Sequence, residues 1–229
     1  VLQASCREGG DSAYAPLSRV LLERFGITPS TGPIAARGQI LQEVQKAMGA
    51  ANAPLANELS HLLGHIAGVP FPDSPVLRSL QADGKRRQVR VQEAFRRFFD
   101  IDLGTRPIVL VLDNLHAADD EALGLLRALT AHLAARPLVV LAAGRPSLAE
   151  RLAAVTLALE GAVSRIELRP LTEAEAADFI RALVPRLRDI PEEVLAAVNH
   201  RARGNPTSLR EIVRVFLENG VLVAHGREW

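Results

Sequence analysis

Asp113 closes an unbroken apolar run, Ile108-Val109-Leu110-Val111-Leu112, inside the segment PIVLVLDNLHAADD at residues 107–120. A β-branched and leucine run of this length predicts a strand buried on both faces. A carboxylate at the carboxyl end of a buried parallel strand lies where open α/β sheets take their ligands. It offers a hard oxygen to a cation such as Mg²⁺. Asn114, His116 and Asp119 follow within one short turn and add an amide, an imidazole and a second carboxylate. A core strand followed by a polar turn that caps a helix gives the same pattern, so the run alone leaves both readings open. A second buried run, residues 137–143, ends in Gly144, Arg145 and Pro146, which places a guanidinium at the same edge of the sheet.

Composition narrows what these groups can serve. The 229 residues carry 27 Lys and Arg against 26 Asp and Glu, a formal net charge of +1. No global field draws the chain to nucleic acid or to a membrane surface. Hydrophobic residues make up 48% and aromatic residues 4%, an aliphatic, helix-rich composition unlike that of a disordered chain. Cys6 is the single cysteine, which excludes an intrachain disulfide framework and a thiolate metal cluster and suits a reducing, cytoplasmic setting. No apolar run approaches the roughly 20 residues of a spanning helix, and the amino end has no signal-peptide pattern. The chain opens inside an apparent strand, residues 1–6, without an initiating Met, and reads as a piece of a longer protein.

The elements that must hold these groups alternate in type. Leu17, Val20, Leu21 and Phe25 predict a helix that Gly26 stops. A helical pattern over 38–68 breaks near 49–54. Ser74 with Pro75 signals another helix start, running to about Phe99 with an interruption at Gly84. Residues 120–135 form an amphipathic pattern with Ala122, Leu126, Leu129 and Leu133 on one face. Ser147 to Glu150 reads as a capping box, and residues 164–168, SRIEL, alternate like a strand. Strands separated by helices predict a mainly parallel sheet built from crossovers.

Composition shifts near Arg169, where Thr172 and Glu175 form another capping box. A helix from Pro191, a break at Gly204-Asn205-Pro206 and a helix capped at Ser208 follow, the last with Leu209, Ile212, Val213, Phe216 and Leu217 inward. Two domains are expected: an α/β core at 1–168 and a small helical subdomain at 169–229, in which residues 221–224 begin a β-wing or a linker.

In chain order stand SCREGG…YAPL, PIVLVLDNLHAAD, LVVLAAGRP, LRPLTEAEA and ARGNPTSLREIVRVFLENG. The series resembles the ATPase module of STAND-type signal-transduction NTPases. These AAA-ATPase-like modules occur in bacterial LuxR- and MalT-like regulators, multidomain Ser/Thr kinases and adenylyl cyclases. The pairing of LDNLHAAD with GNP is its specific part; each alone is weak. The resemblance implies a P-loop NTPase-like, mainly parallel sheet flanked by helices, with its first strand and P-loop missing, followed by a helical lid. It implies Mg-ATP as the cofactor, with Asp113 as the Walker B carboxylate on Mg²⁺. Asn114 falls where the family has a second acid that positions the attacking water, and Arg145 where it has a sensor near the γ-phosphate. Asp119 matches the acid of the DLHWAD-like turn, with Ala117 in place of Trp. Asp119, His116 and Pro206, the last near the base in the lid, complete the implied nucleotide contacts. The implied partners are a fused output domain or partner protein and a nucleotide-dependent homo-oligomer, with nucleic acid reached only through another domain and no membrane.

Two departures bear on activity. An amide at Asn114 cannot accept a proton from water. G-x-x-x-x-G-K-[ST] occurs nowhere in the 229 residues, so these residues hold neither the N–H cradle nor the phosphate Lys. In the family that motif follows a mid-sheet strand, whose loss leaves unpaired backbone groups at about 1–3 kcal/mol per buried group. The chain alone is therefore expected to bind nucleotide weakly. A nucleotide-independent scaffold for protein–protein contact is the alternative function, and a GxxxxGK[ST] before Val1 separates the two. A DNA-binding winged helix is a third reading, but residues 208–219 carry two Arg and two Glu and offer little field for phosphate.

Other groups stand outside this series. His61 and His65, with Glu58 one turn earlier, have the spacing of cation ligands, but not in the order H-E-x-x-H, and a polar helix face is the plainer reading. Lys85, Arg86, Arg87, Arg90, Arg96 and Arg97 form a basic cluster without a nucleic-acid reading motif, so a solvated helix face accounts for it. Ser5, Ser12 and Ser18 lack a G-x-S-x-G context.

Overall fold

The apolar runs form three strands, β1 (Leu2–Ser5), β2 (Ile108–Asp113) and β3 (Leu138–Ala142), in a parallel sheet of order β1-β2-β3. The structure is a computed structural model and describes residues 1–7, 13–49, 52–133, 135–153, 163–185 and 190–220. Register pairs Ser5 with Asp113 and Leu112 with Ala142, so the three strands end at one edge.

Helices α1 (Leu17–Arg24), α2 (Pro33–Met48), α3 (Ala53–Ala67), α4 (Pro75–Ser79) and α5 (Gly84–Leu103) lie between β1 and β2 in the chain. α6 (Asp120–Leu133) joins β2 to β3, and α7 (Ser147–Arg151) follows β3. One core holds Leu17, Leu21, Ile40, Leu63, Phe95 and Phe98 with Ala4, Leu110 and Leu112 of the sheet. On α6, Ala122, Leu125, Leu126 and Leu129 are buried. Leu133, expected on that face, lies outside the described side chains. Ser74 caps α4, its hydroxyl accepting the Leu77 N–H at 3.1 Å. Asp83 caps α5 by accepting the Arg86 N–H at 2.9 Å.

The sheet departs from expectation in one respect. β2 and β3 were both read as buried on two faces, yet the core takes only one face among the described residues. Val109 and Val111 are half-buried, and Val139 and Leu141 are 52% and 56% exposed. A run of Val and Leu carries no mark of which side is packed.

A carboxylate sits inside the same core. Asp102, near the end of α5, is 3% exposed. Arg24 grips it with Nε and Nη2 at 2.8 and 2.9 Å and also reaches Glu43 at 2.9 Å. Burial alone would raise the Asp102 carboxyl, but the hydrogen bonds and charges of Arg24 and Arg106 outweigh it and hold the group below its usual range.

The chain divides into two compact units, 1–164 and 165–229. The second contains α8 (Glu173–Leu183), α9 (Glu192–Ala202) and α10 (Pro206–Glu218) around Ile180, Leu195, Val198, Leu209 and Val213. Thr172 and Glu175 form the expected capping box on α8. Arg169 clamps the Glu175 carboxylate at 2.7 and 2.8 Å. With Thr172 adding its hydrogen bonds, this pulls the Glu175 carboxyl down to about 2.

Three local expectations are corrected. Residues 164–168 form no strand; Ile166 and Leu168 are exposed, and the segment pairs with no strand among the described residues. Alternation makes a strand only where a neighbour supplies backbone partners. Ser147 does not cap α7, because Pro146 is already helical and puts Ser147 inside the first turn. Ser208 does not cap α10; Asn205 does, accepting the N–H groups of Thr207 and Ser208 at 2.9 and 3.1 Å. The loop at 8–12, with Ser12, and the wing or linker at 221–224 lie outside the described residues.

Candidate functional site

Parallel strands deliver their carboxyl ends to one side, and here that side receives Ser5, Asp113 and the loop after Ala142. The Asp113 side chain is exposed at that edge. Its Oδ1 accepts the N–H of Asn114 at 2.8 Å. Asn114 sits in the left-handed region, φ 52°, which Asn tolerates better than most residues. That turn aims the Asn114 amide at β1, where Nδ2 donates to Ser5 Oγ at 3.2 Å. The Cys6 N–H donates to the Asp113 carbonyl at 3.0 Å, and the Arg19 guanidinium donates to the Ser5 carbonyl.

Leu115, His116 and Ala117 form a single 3-10 turn after Asn114. The Leu115 N–H donates to the Ala143 carbonyl at 2.9 Å, which ties this turn to the loop after β3. Gly144 makes the approach feasible: a Cβ there would lie 3.1 Å from the His116 nitrogen and 2.8 Å from the Leu148 side chain. Arg145 follows directly and is exposed. From α7, Arg151 donates to the His116 carbonyl at 2.9 Å and pairs with Asp120 at 2.8 Å. Asp113, Asn114, His116 and Arg145 are thus gathered at one sheet edge.

Asp119, expected to contact the cofactor, is engaged otherwise. Its Oδ1 accepts the Ala122 N–H at 2.6 Å, capping α6, and its Oδ2 accepts the Tyr14 N–H at 2.9 Å. It positions the loop. Pro206 belongs to the second unit, in the first turn of α10. There it lines a cavity of about 550 Å³ with Arg169, Arg201, Arg203 and Asn205.

A carboxylate, a hydroxyl and an amide oxygen are hard donors. Among the described residues no three His, Cys, Asp or Glu side chains converge on one point. The donor set at this edge is of the kind that suits a hard cation keeping several waters, such as Mg²⁺. The zinc-like triplet on α3 is not assembled: Glu58 is paired with Arg90, His61 lies against Phe71 and His65 against Tyr14.

Ser5, Tyr14, Arg19 and Arg151 belong to this edge and were not singled out for it from sequence. Ser5 was legible in principle, as the last residue of a strand parallel to β2. The other three reach the edge through long-range contacts that leave no periodic trace.

A family model of the AAA ATPase domain matches residues 1–141. No curated protein and no solved structure matches the chain.

Proposed function

Because the chain belongs to the AAA ATPase domain family, we propose that it is a regulatory ATP-binding module of a multidomain bacterial signalling or transcription-regulatory protein, of the STAND type. The observation that carries this reading is the exposed Asp113 carboxylate at the carboxyl edge of a parallel sheet, with Asn114 and Ser5 beside it. When bound, Mg-ATP would supply phosphate oxygens that complete the coordination of Mg²⁺. Asp113 would hold that ion. Asn114 would orient a water without accepting its proton, so turnover in the parent protein would be slow. Arg145 would meet the γ-phosphate side, and His116 would border it. The helical unit with Pro206 would serve as the lid. A difference in nucleotide affinity between two arrangements of core and lid would bias a fused output domain or an oligomer.

The test is Mg²⁺-dependent ATP binding by the full-length parent and by its Asp113→Ala variant. Binding that needs Mg²⁺ and weakens at least tenfold in the variant supports the reading; the same outcome with unchanged affinity, or no binding at all, excludes it. In the latter case the scaffold reading stands. Two sequence facts favour that alternative: the amide at Asn114 and the lack of G-x-x-x-x-G-K-[ST] in the 229 residues.

A further inference from the structure

One histidine of the α3 pair, His65, and one residue of the basic cluster, Arg87, neither used at the sheet edge, meet elsewhere in the first unit. Between the end of α3, the connection at 68–72, α4 and the first turn of α5 lies a cavity of about 440 Å³. Ligand sites of small molecules fall in this size range, with an apolar lining and a few placed polar groups. Val69, Phe71 and Leu77 give the apolar lining; His65, Arg78 and Arg87 give the polar groups.

The apolar side is built for the purpose of close packing. A Cβ on Gly64 would stand 2.4 Å from the Phe71 ring, so the ring approaches α3 this closely only because position 64 has no side chain. The His61 ring also packs against Phe71, at 4.6 Å between centroids.

The polar side is cationic. Arg78 donates to the neutral carbonyl of Asp73 at 3.2 Å, and neither Arg78 nor Arg87 is paired with a carboxylate among the described residues. No Asp or Glu is among the residues lining the cavity. Arg87 is half-buried, whereas Lys85 and Arg86 beside it are exposed. Two guanidinium groups on the lining of an apolar hollow, Arg78 exposed and Arg87 half-buried, match an anion with a compact apolar body.

We propose that this cavity binds a small organic anion, a carboxylate or phosphate monoester carrying an aromatic or branched aliphatic group. The anionic end lies between Arg78 and Arg87, and the apolar end rests on Phe71, Val69 and Leu77. His65 adds a hydrogen bond from its ring. The same ring meets Tyr14 edge-on at 5.7 Å, and Tyr14 is the single tyrosine of the chain, so it reports occupancy.

The full chain is titrated with phenyl phosphate and, separately, phenylacetate, while NMR follows the ring resonances of His65 and Tyr14. Saturable shifts at both residues with at least one anion, at millimolar concentration or below and absent with neutral benzyl alcohol, support the site. Arg78→Gln and Arg87→Gln should each weaken that binding by about tenfold, with the melting temperature unchanged. No saturable shift with either anion, an equal response to benzyl alcohol, or undiminished affinity in the double variant overturns it. Should Arg87→Gln lose structure, Arg78→Gln carries the same comparison alone.

Discussion

Asp119 holds the backbone N–H of Tyr14 at 2.9 Å, joining positions 105 residues apart. Its other oxygen takes the Ala122 N–H at 2.6 Å. One carboxylate therefore fixes both the start of α6 and the segment that leads from β1 into α1. Replacing Asp119 with Ala strips a helix cap and leaves two N–H groups without their acceptor. The expected loss is about 1–3 kcal/mol, read from the midpoint of urea unfolding. Asp113→Ala at the exposed strand end should shift that midpoint by no more than about 0.5 kcal/mol. If the two variants were equally destabilised, the division between a positioning carboxylate and an available one would be wrong.

Arg24 and Asp102 form a largely buried charge pair, with side-chain exposures of 12% and 4%. Such a pair adds little net stability when intact but is costly to break, because the survivor stays buried with only its second partner, Glu43 for Arg24 or Arg106 for Asp102. Asp102→Ala should cost about 3–5 kcal/mol, and Arg24→Ala a similar amount. The pH dependence follows from the direction of the Asp102 shift. The folded-state carboxyl lies below its usual value near 3.8. The pair's contribution is therefore full above that value and is lost as pH falls through the lower, folded-state value. Thermal unfolding between pH 5 and pH 2 should show this loss in the parent chain. A conservative Asp102→Asn variant should show a flatter acid limb over the same interval.

The two faces of the sheet should respond oppositely to substitution. Leu110 is fully buried and pairs across β1 and β3; Leu110→Ala should cost about 2–5 kcal/mol. Val139 and Leu141 point to the open face, at 52% and 56% exposure. Val139→Thr and Leu141→Thr keep strand propensity and remove apolar surface from water, so each should change stability by less than about 0.5 kcal/mol. Any self-association seen in sedimentation should weaken in both variants, since exposed apolar patches attract contacts. A large destabilisation by either threonine would mean that this face is packed after all.

The same contrast explains what the sequence could and could not tell. The end of β2 was legible because five apolar residues followed by Asp113 admit few other local structures, and parallel pairing then brought Ser5 beside it. Thr172 with Glu175 and Ser74 with Pro75 were legible because capping is local chemistry within one turn. The open face was hidden, since Val139 and Val140 are the same residue type, yet one is exposed and the other half-buried against the core. Asp102 was hidden too: it sits on a helix rich in Arg, and its partner Arg24 is 78 residues away. Asn205 displaced Ser208 as a cap because the chain enters α10 through Gly204, whose backbone geometry decides where the helix can begin.

Gly204 gives the sharpest test of the second unit. It has φ +69°, a region open to glycine and strained for a residue with a Cβ. It also lies under the 170–171 segment: its carbonyl accepts the Leu171 N–H at 2.9 Å, and a Cβ would fall 2.4 Å from the Leu171 carbonyl oxygen. That oxygen belongs to backbone and cannot swing aside as a side chain would. Gly204→Ala must therefore either break the Leu171 contact or shift the Asn205 cap of α10. The strained backbone alone costs about 1–3 kcal/mol, and the clash adds to it. The expected result is loss of amide protection in α8 and α10 on hydrogen exchange, with α3 and α5 of the first unit still protected. Gly220→Ala is the control, with φ +67° but no atom of the described residues, its chain neighbours aside, within 4 Å of its Cβ, and should cost less than Gly204→Ala. Equal effects of the two would show that backbone conformation, and not the close approach to Leu171, is what position 204 requires.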